Sequence, residues 1–313
     1  MSEILDQSVV HDAGASPNEG PATTSRRSLN HLLTGKFIVG VTLVLAITLF
    51  GLLGPFFVQD PRAVSNLGLT PPGVEHLFGT TQTGQDVLGQ LAHATRGSLL
   101  IGVAVGVMAL VLSAFFGILG AYMGGIADDV FSLITNVMLI IPGLPLMIVI
   151  GSYVPQKSIW LVAVVLALTS WAASARVLRA QTLSLRSRDY VLASRVAGER
   201  SWRIISVEIL PNLLPVMSSG FVFAIVFAIL GEAGLSFIGI GVSDTLTWGT
   251  MLAGAQNGQA LLLGGWWWFV PPGLMIALLG CGLSLINFSI DEVINPKLRT
   301  RKIAPVKKIE AKA

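Results

Sequence analysis

Long uncharged apolar stretches alternate along this chain with short polar or basic connections. A stretch of roughly 20 mostly apolar residues can cross a bilayer as a helix, because a helix satisfies its own backbone in lipid. Residues 37–58, 97–127, 130–156, 158–175 and 209–231 each reach about that length without an Asp, Glu, Lys or Arg. The last uncharged run, 245–290, is too long for one crossing, and its first half carries Gln256, Asn257 and Gln259, so the sixth span is placed at 267–290. The pattern predicts an all-α, polytopic membrane protein with six transmembrane helices.

Composition agrees. Only 12% of the 313 residues are charged, against about 25% in soluble domains, and the mean hydropathy is +0.74. The placement of charge then sets the topology. Three basic residues precede the first span, seven lie between spans four and five, and seven follow span six, whereas Arg62, Arg96 and Lys157 stand on the opposite side. The positive-inside rule puts both termini and the loop at 189–211 in the cytoplasm. Topology thus accounts for a pI near 9.2, and no nucleic-acid partner is implied. Residues 1–35, polar and rich in Ser, Thr, Gly and Pro, read as a disordered cytoplasmic tail rather than a cleaved signal peptide, with the first span as an uncleaved anchor. Residues 36–296 form the membrane domain, and 297–313 a basic cytoplasmic tail suited to anionic membrane lipid.

Few residues carry chemistry. Cys281 is the one cysteine, which excludes an internal disulfide. His11, His31, His76 and His93 show no metal-ligand spacing, so structural or surface roles are expected and no metal site is assigned. No GxxxxGK[ST] loop is present to cradle nucleotide phosphates. In the second span Gly102, Gly106, Gly117 and Gly120 favour close helix crossing. Asn136, Pro142 and Pro145 in the third span, Trp171 in the fourth and Glu232 in the fifth are candidates for lining a pathway. Each has a competing reading: packing for the first four, and for Glu232 a place near the external end of the span with bonds to backbone groups. Trp248, Gly249 and Met251 fit a short external helix, and Trp266, Trp267 and Trp268 fit an interfacial aromatic belt.

The connection at 180–212 has the most distinctive pattern. In DYVLASRVAGERSWRIISVEILP, Asp189 can cap a two-turn helix that Gly198 ends in the left-handed conformation, with a second helix from near Ser201. Ala193 with Ala197, and Ser194 with Gly198, leave one helix face almost free of side chain. Arg195, Arg200 and Arg203 offer donor forks for a partner's carboxylates. An ordinary basic juxtamembrane loop is the competing reading.

The same stretch resembles the EAA loop of ABC-importer permeases, with Ala193, Ser194, Gly198, Ile209, Leu210 and Pro211 at matching positions. Leu192 stands where that family usually has an acidic residue, and Asp189 is not assumed to replace it. HLFGTTQTGQDVLGQLAHATRGSLLIG is similar to the histidine-led segment before the second span in C-type permeases of dipeptide and oligopeptide importers. His76, Gly79, Thr80, Gly84, Asp86, Val87, Leu88, Arg96 and Ser98 match, while Thr81 and Gln85 replace an acid and an arginine and put any ion pair between them in doubt. AYMGGIADD, EAGLSF, SDTLTWGTML and the terminal NPKLR, with Asn295 for the usual aspartate, extend the resemblance over residues 37–299.

This resemblance implies a type I ABC-importer permease architecture in a cytoplasmic (inner) membrane, and no enzymatic activity in the chain itself. It implies a homologous second permease, one or two cytoplasmic ATPases that hold ATP and Mg2+, an external solute-binding protein and a peptide substrate. Asp189, Ala193, Ser194, Arg195, Gly198, Arg203, Ile209, Leu210 and Pro211 become the expected ATPase-coupling residues. Nickel and glutathione importers have closely similar permeases and remain alternatives on substrate. An ion-coupled transporter using Glu232, and an intramembrane enzyme, are alternatives of other classes.

Overall fold

The computed structural model describes residues 35–154 and 157–294. The expected tail at 1–35, apart from its last residue, Gln156 and the basic tail at 297–313 lie outside them. Among the described residues the structure is helical, with one isolated bridge between Thr80 and Asp86. Five helices are long and apolar enough to cross a membrane, and a bent pair counts as a sixth when it is taken as one span.

Helix α1, Gly35–Leu53, ends in a 3-10 turn with Pro55 in its first positions. Helix α2, Val87–Met123, begins before the uncharged run, because Asp86 caps it by accepting from the Gly89 N–H at 2.6 Å. Its glycines let neighbours approach. A Cβ on Gly106 would lie 2.9 Å from Ile225, and one on Gly117 would lie 2.5 Å from the Ala175 carbonyl. At Gly97 a Cβ would come within 2.1 Å of the Leu246 carbonyl. Gly97→Ala is therefore expected to lower stability by about 1–3 kcal/mol, read as an earlier thermal unfolding midpoint in detergent.

Helix α3, Gly125–Ile140, and helix α4, Gly143–Tyr153, form the third span as a bent pair at 76°. The expected kink at Pro142 is a break. Ile141 and Pro142 are both extended, as the steric restriction on a residue before proline favours. Pro145 falls in the first turn of α4, where its missing N–H costs no helical bond. Helix α5, Ile159–Arg186, continues beyond Ala175, and helix α6, Asp189–Val196, follows directly.

Helix α7, Ser201–Phe237, runs through Pro211 and Pro215 without a break. A π-helical segment, Ile204–Ile209, precedes Pro211, and the Leu210 N–H reaches back to Ile205. Helix α8, Trp248–Asn257, is the short helix expected between the last two spans, and helix α9, Trp266–Ile294, is the final span.

Among the described residues four apolar clusters join these helices, the smallest of them packing Trp171 of α5 with Ala109 of α2 and Ala224 of α7. One ties α1, α2, α7, α8 and α9 together around Leu91, Ile225, Trp248 and Leu279. A second packs α2 and α5 with α4 and α7 around Ile101, Leu166, Met147 and Ala228. The third lies under α6 at the other end of α2 and contains Ile118, Tyr122, Leu178, Val191, Ile204, Ile209 and Leu213. Two of the three tryptophans expected in a belt turn inward: only Trp266 is exposed, and Trp267 donates to the Thr80 carbonyl at 3.1 Å.

Candidate coupling and pathway sites

Helix α6 is a short amphipathic helix fixed by its ends. Arg188, not Asp189, occupies the cap position in extended conformation, so Asp189 falls in the first turn. There its charge still complements the helix dipole. At the other end Gly198 has φ +77°. Its N–H donates to Arg195 at 3.0 Å, and the Glu199 N–H donates to Ser194 at 3.1 Å. These are the paired bonds of a Schellman turn, which needs a left-handed residue at this position. No atom lies within 4 Å of a Cβ built on Gly198. Conformation, not crowding, requires the glycine.

Val191 is the inward face of α6, fully buried in the cluster formed by α2, α5 and α7. Arg195 adds a second tie, its guanidinium 4.6 Å from the centre of the Tyr122 ring. The outward side exposes Tyr190, Leu192, Ala193, Val196, Ala197 and Trp202. Val196 is 89% exposed and Trp202 77%. Arg195, Arg200 and Arg203, the arginines expected from sequence, are exposed beside these apolar residues. Arg203 pairs with Glu199, and Ser194 donates to the Tyr190 carbonyl at 3.0 Å.

The matched I-L-P ending divides. Ile209 is fully buried beneath α6, Leu210 is half-buried and packed against the same cluster, and Pro211 is exposed. Ile209 therefore holds the loop's seat and offers no surface to another protein. Sequence reasoning also missed Leu192, Val196 and Trp202 as the apolar outer surface, although a hydrophobic residue beside a glycine-ended helix was there to be noticed.

Arg176, Arg179 and Arg186 of α5 reach the α2–α3 end. Arg179 binds Asp128 through two bonds of 2.7 and 2.8 Å, Arg176 donates to the Asn136 side chain at 2.7 Å, and Arg186 donates to the Ala121 carbonyl at 2.5 Å. The first is bidentate, the stronger geometry for such a pair.

The pathway candidates do not converge. Asn136 is exposed but engaged by Arg176, and Pro142 is exposed at the break between α3 and α4. Trp171 is buried, 4.6 Å from the Phe116 ring centre, and packs in the core. Glu232 is also buried, and one of its oxygens accepts from Ser236 at 2.6 Å and Thr247 at 2.7 Å. It bonds to hydroxyls, not to the expected backbone groups. Sequence could not give these orientations because a uniformly apolar helix does not reveal which side faces protein.

At the opposite end from α6, the second matched segment is a closed hydrogen-bonded turn. His76 binds Asp86 at 2.9 Å, which fits the structural role expected for this histidine. Thr81 and Gln85, in place of the acid and arginine, still meet: the Thr81 N–H donates to the Gln85 carbonyl at 2.9 Å, and the Gln85 N–H donates to the Thr81 hydroxyl at 3.1 Å. Neutral bonds take the place of an ion pair. Nearby, Trp248 donates its ring N–H to Thr95 at 3.0 Å and its backbone N–H to Ser98 at 2.9 Å. The EAGLSF and SDTLTWGTML strings thus meet α2 in one buried knot.

Residues 113–300 match the family described as binding-protein-dependent transport system inner membrane component. Over 294 residues the chain is 34% identical to a Brucella abortus protein provisionally named a peptide transport system permease protein, covering 92% of this chain and 95% of the relative. It is 30% identical over 265 residues to the oligopeptide transport system permease protein OppC of Bacillus subtilis, covering 84% and 86% of the two chains. The dipeptide transport system permease protein DppC of the same organism is 29% identical over 268 residues, with 84% and 82% covered. With this family match and relatives aligned over most of their length, the chain belongs to the binding-protein-dependent transport system inner membrane components, the permeases of ABC importers that its motifs resemble.

Proposed function

We propose that the chain is one permease subunit of an ATP-driven importer for dipeptides or oligopeptides. The names of its relatives support the substrate class. The chain works with a second, homologous permease, and one or two cytoplasmic ATPases hold ATP and Mg2+. An external binding protein delivers the peptide. Both termini and α6 face the cytoplasm, in line with the distribution of basic residues.

The single observation that carries the coupling role is the seating of α6. A helix that exposes Leu192 and Val196 on its outer side has its inner residue, Val191, buried against three spans at once. A push on Leu192, Val196 or Trp202 therefore moves α2, α5 and α7 together. When ATP binding draws the ATPases together, the load passes through this seat and turns the permease pair from inward-facing to outward-facing. Substrate then crosses between the two permeases.

The test is uptake of labelled dipeptide, tetrapeptide and nickel ion by paired cells with and without this chain. Loss of ATP-dependent peptide uptake alone is the expected result, and the longer or shorter peptide gives the length preference. Loss of nickel uptake alone would keep the ABC mechanism and overturn the substrate. If none of the three changed, glutathione uptake would be measured next and the peptide assignment would fall.

A further inference from the structure

A charged pocket of about 530 Å³ lies at the end of the molecule away from α6. Its polar lining comes from three segments, Asp60 and Arg62 after α1, His93 and Arg96 in the first turns of α2, and Asp244 ahead of α8, and Ile159 of α5 adds an apolar wall. We propose that this pocket receives the free terminal carboxylate of the peptide substrate on Arg62 and Arg96, with Asp60 and Asp244 available to an ammonium group. The proposal rests on the peptide-importer reading.

The first argument is the placement of charge. On the topology proposed above, seventeen of the twenty Lys and Arg residues are assigned to the other side of the membrane. Two of the three exceptions, Arg62 and Arg96, line the pocket, and the backbone of the third, Lys157, bonds to Ser243 beside Asp244. Nothing in the insertion rule calls for cations at this place.

The second argument is construction. The Arg62 N–H donates to the Asp60 carboxylate at 2.9 Å, and its guanidinium reaches the Asp244 carbonyl at 3.4 Å. A guanidinium has five N–H donors, so this long bond leaves most of them for a ligand. The Gly89 carbonyl holds Nδ1 of His93 at 3.0 Å and fixes the ring. Gly97 lies hard against the Leu246 carbonyl and closes the loop onto α2. The volume falls within the range of about 300–1,000 Å³ typical of small-molecule sites.

The third argument separates peptide from anionic lipid. A purely anionic headgroup would face Asp60 and Asp244 as well as the arginines. A short peptide carries both charges at neutral pH and matches both signs.

The test uses the complete transporter in liposomes, with saturating binding protein and ATP inside, and compares uptake of tetra-alanine with that of its C-terminal amide. Wild type is expected to favour the free acid. Arg96→Gln and Arg62→Gln should each raise KM for the free acid roughly tenfold, the loss expected of one hydrogen bond to a charged group. Each should bring the acid-to-amide ratio towards one, and Arg96→Lys should keep part of the preference. An equal fall for both peptides would overturn the assignment and mark the arginines as structural. A fall that follows the headgroup composition of the liposomes would also overturn it, and would make the pocket a lipid site. Peptide uptake by wild type with an unchanged ratio in all variants would defeat this inference alone. No uptake of either peptide by wild type would defeat the peptide-importer reading with it.

Discussion

Gly198→Val is expected to reduce ATP-driven uptake roughly ten- to a hundredfold while leaving membrane insertion near normal. The turn after α6 holds Gly198 at φ +77°, a conformation that costs a non-glycine residue on the order of 1–3 kcal/mol, and a β-branched side chain lies at the costly end. By the exponential relation between energy and population, that cost shifts the seated form by about one to two orders of magnitude. The site is open, with no atom within 4 Å of the added Cβ, so the substitution creates no clash in the membrane core. It acts on the turn alone. Losing the turn frees the Ser194 and Arg195 carbonyls and redirects Trp202 relative to Val196, which breaks up the outward apolar surface. Gly198→Asn is the control, because asparagine tolerates the left-handed region, and it should retain most uptake. The assay is peptide uptake together with co-purification of the ATPase subunits. Normal values for both in Gly198→Val would sink the coupling role of α6.

The Gly198 turn was legible because its cause is local: a glycine after two helical turns has one common use. The spans were legible for a related reason, since the hydrocarbon core demands long apolar runs. Their boundaries were less so. Asp86 starts α2 well before the uncharged stretch, and α5 runs on to Arg186, because helices continue as long as capping and packing support them. At Pro142 sequence predicted a kink and the structure has a break, while Pro211 and Pro215 interrupt nothing. The difference lies in what surrounds each proline: a π-helical segment precedes Pro211, whereas Ile141 has already left the helical region. Least legible were side-chain directions in uniformly apolar helices. Ile209 and Trp171 turned inward, and Glu232 found partners on Ser236 and Thr247. The bonds from Trp248 to Thr95 and Ser98 join residues about 150 positions apart, a pairing that no local pattern encodes.

Glu232→Ala is expected to destabilise the protein by about 2–4 kcal/mol, from the cavity and the buried hydroxyls it leaves unpaired. The same oxygen of Glu232 accepts from Ser236 within α7 and from Thr247, the residue that caps α8. Thr247 and Thr250 form a reciprocal capping box, and the next residue, Trp248, is bolted to α2. Removing the carboxylate therefore loosens α8 from α7 at the point where three segments meet. Glu232→Gln separates this structural account from ion coupling. Its amide oxygen can accept from both hydroxyls in place of the carboxylate oxygen, so the link survives and the variant should keep most stability and uptake. A proton or sodium site would lose the ionisable group on which it depends. The measurement is uptake at fixed ATP, with and without an imposed ion gradient, beside the thermal unfolding midpoint in detergent. If Glu232→Gln is stable yet inactive, and wild-type uptake follows the gradient rather than ATP, Glu232 carries the coupling ion and the structural account fails. If Gln is active and Ala is unstable, Glu232 is the acceptor that fastens the short helix α8 to the fifth span.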